Sequence, residues 1–405
     1  MKLPRATIPA ALAATALASQ AAVCQTSTPS ETHPPLGAVT RLDGRVLSAA
    51  EVTATVERLM RAGRVPGLAL AILNRGEVVY QRGFGWRDVE RRLPLGDTTV
   101  MYAASFTKAM FAYMVMGLVQ EGRLELDRPI ERYLPRPLPG YEKYAELAGD
   151  ERWRRITPRM LLSHTAGFPN WRFLNPGEKL DIRFEPGQRY AYSGEGINLL
   201  QFVLEHGMGM NADTLMRRRV FERFGMTRTS MTWRADFEGD HAIGYDTAGA
   251  PLGHRRRTGV RAAGSADSDV AGVARFLRGV MRGDGLTPAA RHEMLRPQVR
   301  IRSAHQFPTT MEETTGRDDA IALSYGLGWG VMQTPYGPAF FKEGHDDGWE
   351  NYMIAFDGPK TGLVVMTNSS NGGSIFRELL ATLIGDTFTP WEWNRYLPYD
   401  AAAAP

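Results

Sequence analysis

Apolar runs of strand character stand at both ends of this chain, and a proline- and arginine-rich stretch without strand alternation separates them. Near the start, GLALAIL (67–73) and VVYQRGFGW (78–86) flank the polar turn Asn74-Arg75-Gly76-Glu77 and predict a hairpin. Towards the end, YGLGWGVM, PAFFKEG, ENYMIAF and TGLVVMTN follow one another, each closed by turn residues. Between Leu124 and about Ala242 the chain predicts only helices and irregular segments. Strands at the two termini have to find each other, so the pattern predicts an α/β fold of the α+β kind. An antiparallel sheet is built from both chain ends, flanked by helices, with a mostly α-helical subdomain inserted at about 124–242. Ser48, with Glu51 three residues on, predicts a capped helix to Arg64, and a last helix is expected from about Ser374 to Ile384.

Bulk composition narrows the function. With 405 residues the chain can bury a substantial core, and 43% hydrophobic with 23% charged residues is a globular composition. The net charge is +4, of which Lys2 and Arg5 supply two, leaving +2. That is too little to argue for nucleic acid, and neither Arg217-Arg218-Arg219 nor Arg255-Arg256-Arg257 is interleaved with aromatics. Lys2 and Arg5 precede an apolar stretch from Ile8 to Ala18 and then small residues, the pattern of a cleaved secretory signal. The expected layout is a signal peptide at 1–24, a flexible leader at 25–47, one domain at 48–390 and a tail at 391–405. No transmembrane span is expected after signal removal. The single cysteine, Cys24, lies at the edge of the signal, so the mature domain makes no disulfide. Export to a periplasm or secretion follows as an expectation. Lipid anchoring at Cys24 is the alternative, against which Val23 stands where a small residue is wanted.

Ser105-Phe106-Thr107-Lys108 opens a run that predicts a helix to about Gly122. Positions i and i+3 share a helix face, so the Ser105 hydroxyl and the Lys108 amine come within reach of each other. A serine is a poor nucleophile without a neighbouring base, and a lysine serves as one only if burial or nearby positive charge lowers its pKa. A capping Ser followed by a solvated Lys is the plain alternative. Four further segments bear on the choice: Leu124-Glu125-Leu126-Asp127; Leu161-Leu162-Ser163-His164-Thr165-Ala166-Gly167; Glu185-Pro186-Gly187 leading to Tyr190-Ala191-Tyr192-Ser193-Gly194; and Glu343-Gly344-His345-Asp346-Asp347-Gly348.

Together, in this order, these segments resemble the serine penicillin-recognising hydrolases: class C β-lactamases, D-alanyl-D-alanine carboxypeptidases and the esterases that share their fold. The resemblance implies acylation of Ser105, with Lys108 and Tyr192 handling the proton. Tyr192 matches the tyrosine of the family's Tyr-x-Asn motif, and Tyr190 is its competitor for register. Nearby lysine charges are expected to lower the phenol's pKa. His345 matches the first position of the Lys-Thr-Gly motif, where esterase-like members carry His; a surface turn histidine is the other reading. Substrate-side positions would then be His345, Asp346, Asp347, Gly348, Gly194 and Glu195. Gly194 stands where the family has Asn, and Asp347 where it has Gly, and both departures weaken a β-lactam specificity. His164 reads as structural support for the subdomain rather than as a triad member.

No Gly-x-Ser-x-Gly elbow, paired-histidine zinc motif or dinucleotide fingerprint occurs, so no metal and no cofactor is expected. The expected activity is that of an exported serine hydrolase acting through an acyl-enzyme on a small-molecule ester, amide or peptide. A β-lactamase or D,D-carboxypeptidase is one alternative, and a non-catalytic binder of cell-wall fragments is another.

Overall fold

The computed structural model describes residues 1–2, 36–309 and 312–401. The expected signal segment and Cys24 lie outside the described residues, apart from Met1 and Lys2. Helix α1 (Ala49–Ala62) opens on the expected capping box, in which Glu51 N–H donates to Ser48 Oγ and Ser48 N–H to Glu51 Oε2. The hairpin β1 (Gly67–Asn74) and β2 (Glu77–Asp88) follows, then α2 (Phe106–Gln120). Short 3₁₀ and α segments fill the next stretch, among them α3 (Gly194–Phe202), before the long α4 (Val270–Arg282). The chain ends in β3 (Gly330–Thr334), β4 (Gly337–Asp346), β5 (Trp349–Phe356) and β6 (Thr361–Thr367), then α5 (Gly373–Leu383).

Among the described residues the main sheet has nine strands, all antiparallel, in the order Val299–Arg300, Ser324–Tyr325, β3, β4, β5, β6, β1, β2, Leu93–Pro94. The join between β6 and β1, with Val365 opposite Leu70, closes the two chain ends into one sheet. Side chains alternate across β1: Ala69, Ala71 and Leu73 enter the core shared with α2 and α4. Leu68, Leu70 and Ile72 enter the core under α1 and α5. A strand buried on both faces reads as an unbroken apolar run, which is why GLALAIL is legible as one. Helix α2 is buried almost all round, between the sheet and the helical subdomain.

Two expected boundaries are corrected. Residues 36–47 are not a loose leader: Val39–Thr40 pairs with Val46–Leu47, and Val39 and Leu47 are buried. The stretch after 390 is not a tail, because Trp391–Asn394 forms a short helix whose Trp391 and Trp393 enter the core under α1 and α5. Burying two indoles offsets the chain entropy of ordering so short a segment.

Candidate active site

Ser105 sits at the head of α2, after Ala104, whose φ of 47° places a non-glycine residue in the left-handed region. Such strain, on the order of 1–3 kcal/mol, persists only where the surroundings fix it. Here Thr107 Oγ1 donates to Ala104 O, and Asn351 Nδ2 to Tyr102 O. Lys108, one turn on, is fully buried, with Nζ 2.9 Å from Ser105 Oγ and 2.5 Å from Ala263 O. That carbonyl is presented by α3, where Asn198 Oδ1 and Gln201 Oε1 accept from the N–H groups of Ala263 and Ala262. Burial first, and then the charge of Lys342, hold the Lys108 pKa well below the usual lysine range, against the opposing pull of Glu343.

Tyr192 comes down from the helical subdomain to the Ser105 side chain, close enough for that hydroxyl to act on its pKa. His164 holds the segment in place, its carbonyl accepting from Ala191 N–H and its Nδ1 from Ser193 N–H. The imidazole lies against the Tyr192 ring, 4.5 Å between centroids, and burial beside two lysines keeps it neutral. His164 thus backs the tyrosine. Tyr190 points elsewhere, into Tyr325 and Trp393. The expected lowering of the phenol's pKa is not what the surroundings produce. Burial, and then the Glu343 carboxylate, push it well up, and the Ser105 side chain only partly opposes them. Tyr192 is a neutral phenol at rest.

The cation beside that phenol is Lys342, which the sequence reading passed over. Its Nζ lies 3.3 Å from Tyr192 OH, 3.0 Å from Glu343 O and 2.6 Å from Glu343 Oε1, with no exposure to solvent. Gln306 Nε2 donates to the same carboxylate oxygen at 2.7 Å, and Gln306 is held by the Trp393 carbonyl and by Asn394. The C-terminal helix therefore braces the site. Lys342-Glu343-Gly344 is itself a Lys-x-Gly triplet, and that spacing three residues before His345 was the available signal. Gly344 packs so closely that an added Cβ would stand 2.8 Å from Ala103 O, just before the serine.

The positions assigned to the substrate side fare differently. The His345 side chain is more than half exposed and turns away from Tyr192 to pair with the buried Glu350 at 2.5 Å. That hydrogen bond lifts its pKa to about 9. Asp346 lies 3.8 Å from Arg257, while Asp347 and Gly348 form the two-residue turn between β4 and β5, Gly348 at a φ of 83°. Asp347 is therefore in a hairpin turn, and the motif's glycine is Gly344. Glu195 is consumed by Arg172, which grips it through Nε and Nη2 at 3.2 and 3.1 Å. Gly194 donates to Asn170 Oδ1, and its side-chain space is filled by Trp171.

Backbone donors are also available. Two-residue turns close β4 at both ends, so its even-numbered residues bond β5 and its odd-numbered ones face the other side. There β3 stops at Gly330, opposite Phe341. Beyond that point the N–H groups of Glu343 and His345 face an edge on which no strand of the described residues lies. Among the described residues no group of three His, Cys, Asp or Glu is placed to hold a metal ion.

A family model described as Beta-lactamase matches residues 52–384. Among curated proteins, the chain is similar to "Protein flp" of Staphylococcus aureus (strain MRSA252), 24% identical over 215 residues, covering 49% of this chain and 42% of that one. It is similar to "Penicillin-binding protein 4*" of Bacillus subtilis (strain 168), 23% identical over 330 residues, covering 72% and 66%. The matched part thus spans less than two thirds of these relatives' lengths. Among solved structures, the octameric penicillin-binding protein homologue from Pyrococcus abyssi superposes with a TM-score of 0.68 at 24% identity, covering 84% of this chain and 78% of that one. The D-alanine carboxypeptidase AmpC from Burkholderia cenocepacia gives 0.65 at 21% identity, covering 82% and 98%. At such identities the structural likeness speaks for the fold.

Proposed function

The chain belongs to the beta-lactamase family of serine hydrolases, and on that footing we propose that it is an exported hydrolase which cleaves small esters or amides through an acyl-enzyme on Ser105. The observation that carries the reading is the Lys108 amine, buried and 2.9 Å from the Ser105 hydroxyl. With its pKa depressed, Lys108 is a neutral amine able to take the serine proton as Oγ attacks a carbonyl. The N–H groups of Ser105 and His345 are the donors proposed for the oxyanion. Tyr192, a phenol at rest, gives its proton to the departing oxygen or nitrogen, and Lys342 stabilises the phenolate left behind. Water then attacks the acyl-enzyme and the protons retrace their path, so the cycle needs no cofactor.

Carboxylester or small-amide hydrolysis ranks above D,D-peptidase and β-lactamase action, because no amide side chain stands at Gly194. Export rests on the apolar segment Ile8–Ala18.

Labelling with a fluorescent fluorophosphonate, together with turnover of p-nitrophenyl acetate, tests the proposal. Wild type takes the label and turns over the ester; Ser105→Ala does neither. Its thermal midpoint stays nearly unchanged, since the Ser105 side chain makes no capping bond to α2. A wild-type protein inert to both probes is a binding protein, and full turnover by Ser105→Ala removes the nucleophile.

A further inference from the structure

Where the segment carrying Tyr192 enters α3, Gly194 has no side chain, and the space is not empty. A Cβ there would stand 2.4 Å from Cη2 and Cζ3 of Trp171, so the indole occupies it. The same indole has Lys108 Nζ 5.7 Å from its centroid, and that amine touches Ser105 Oγ. The ring therefore lies against the amine that holds the reacting hydroxyl.

It is also clamped. Asn170 accepts from Glu195 N–H through its carbonyl and from Gly194 N–H through Oδ1, at 3.0 and 3.1 Å. Arg172 ties the other side of Trp171 to the Glu195 carboxylate and, through Nη1, to Lys143 O at 2.9 Å. Glu195 thereby spends its charge on holding the tryptophan. Phe173 stacks on Trp171, with centroids 6.2 Å apart and planes 8° from parallel. Phe173 is 60% exposed and Leu174 65%. An aromatic stripe thus runs from beside Lys108 out to solvent.

We propose that Trp171 and Phe173 form the acyl-binding wall, selecting esters whose acyl part is an apolar chain or ring. This rests on the acyl-enzyme reading above. The side of the site follows from the proton path: the leaving group takes its proton from Tyr192, whose hydroxyl lies with Lys342, whereas Trp171 covers the other lysine, beside Ser105. The group retained on the serine lies along the indole. Covering apolar surface that is otherwise wet favours the longer chain.

Two substrates with one leaving group, p-nitrophenyl acetate and p-nitrophenyl octanoate, test this. Wild type favours octanoate in kcat/KM by about tenfold or more, the scale of discrimination that apolar pockets achieve. Trp171→Ala brings the ratio to within about threefold of unity, and Trp171→Phe retains most of it. Should Trp171→Ala fail to fold, Phe173→Ala at the exposed end of the stripe lowers the same ratio. An acetate preference in wild type overturns the proposal, as does a ratio unmoved by both alanine variants. A protein that takes no fluorophosphonate and hydrolyses neither ester removes the acyl-enzyme reading and the wall with it. Labelling and acetate turnover with an unmoved ratio remove the wall alone.

Discussion

Lys342 Nζ lies 2.6 Å from the carboxylate of Glu343, its neighbour in sequence, and both are buried. Charges in a dry site survive when paired, and this pair satisfies one of the two lysines that meet at Tyr192. Lys108 has no carboxylate of its own, and burial beside Lys342 holds its pKa well below the usual lysine range. Burial lowers the pKa of both lysines, but Glu343 opposes it at Lys342, so Lys108 is the one shifted further. That difference suits a proton transfer, which wants a base for the serine proton and a positive charge to steady the phenolate.

Glu343→Gln therefore shifts the pH profile of ester hydrolysis to the acid side. Glu343 raises the pKa of both Lys108 and Lys342. Activity requires neutral Lys108, so kcat/KM climbs as pH rises through the Lys108 pKa. Removing the carboxylate lowers that pKa, and the acid limb moves to lower pH. Lys342 also gives up its proton earlier, which pulls in the alkaline limb. The check is kcat/KM for p-nitrophenyl acetate measured across the pH range. An alkaline shift would falsify the assignment of Glu343 as the group that opposes the effect of burial on both lysines.

Lys342→Ala and His345→Ala separate the two residues that compete for the third motif. Losing the cation beside Tyr192 costs about 10²–10⁴ in rate. Removing the exposed imidazole costs far less in rate and is read instead in stability. The His345 pKa is raised to about 9, so the pair with Glu350 stabilises fully below the ordinary histidine pKa and is lost as pH rises through about 9. The gap in thermal midpoint between wild type and His345→Ala is therefore wider at about pH 6 than at neutrality, and it narrows as pH rises through about 9. Equal loss of turnover in the two variants would return the role to the histidine.

Why one was legible and the other was not is a matter of register. Ser105 and Lys108 lie one turn apart on a helix, and local spacing alone brings them together. Tyr192 was legible from its segment, and the β runs from their burial on both faces. Lys342 depends on where β4 turns. The Asp347-Gly348 hairpin is short, so the lysine, not the histidine, falls beside Tyr192, and a strand's register against a distant helix leaves no local pattern. Trp171 was missed for the same reason, because its contact with Gly194 joins a loop to the start of α3. Trp391 and Trp393 carried a signal in their aromatic density, overlooked because the segment is short.

Gly194→Asn restores the residue type the family motif carries, and the geometry predicts that it does not restore the family's contact. Gly194 has φ outside the left-handed range, so the backbone accepts a side chain and the obstacle is the indole, 2.4 Å from the new Cβ. Overpacking of this kind costs about 1–3 kcal/mol. The variant has a lower thermal midpoint than wild type and gains nothing in acylation by nitrocefin. Trp171→Ala vacates the space, so the double variant is more stable than the sum of the two single losses, a coupling that only touching residues show. In that background the asparagine can approach Lys108, and nitrocefin acylation rises relative to Trp171→Ala alone. Losses that simply add would mean that the indole moves freely and that Gly194 is not its seat.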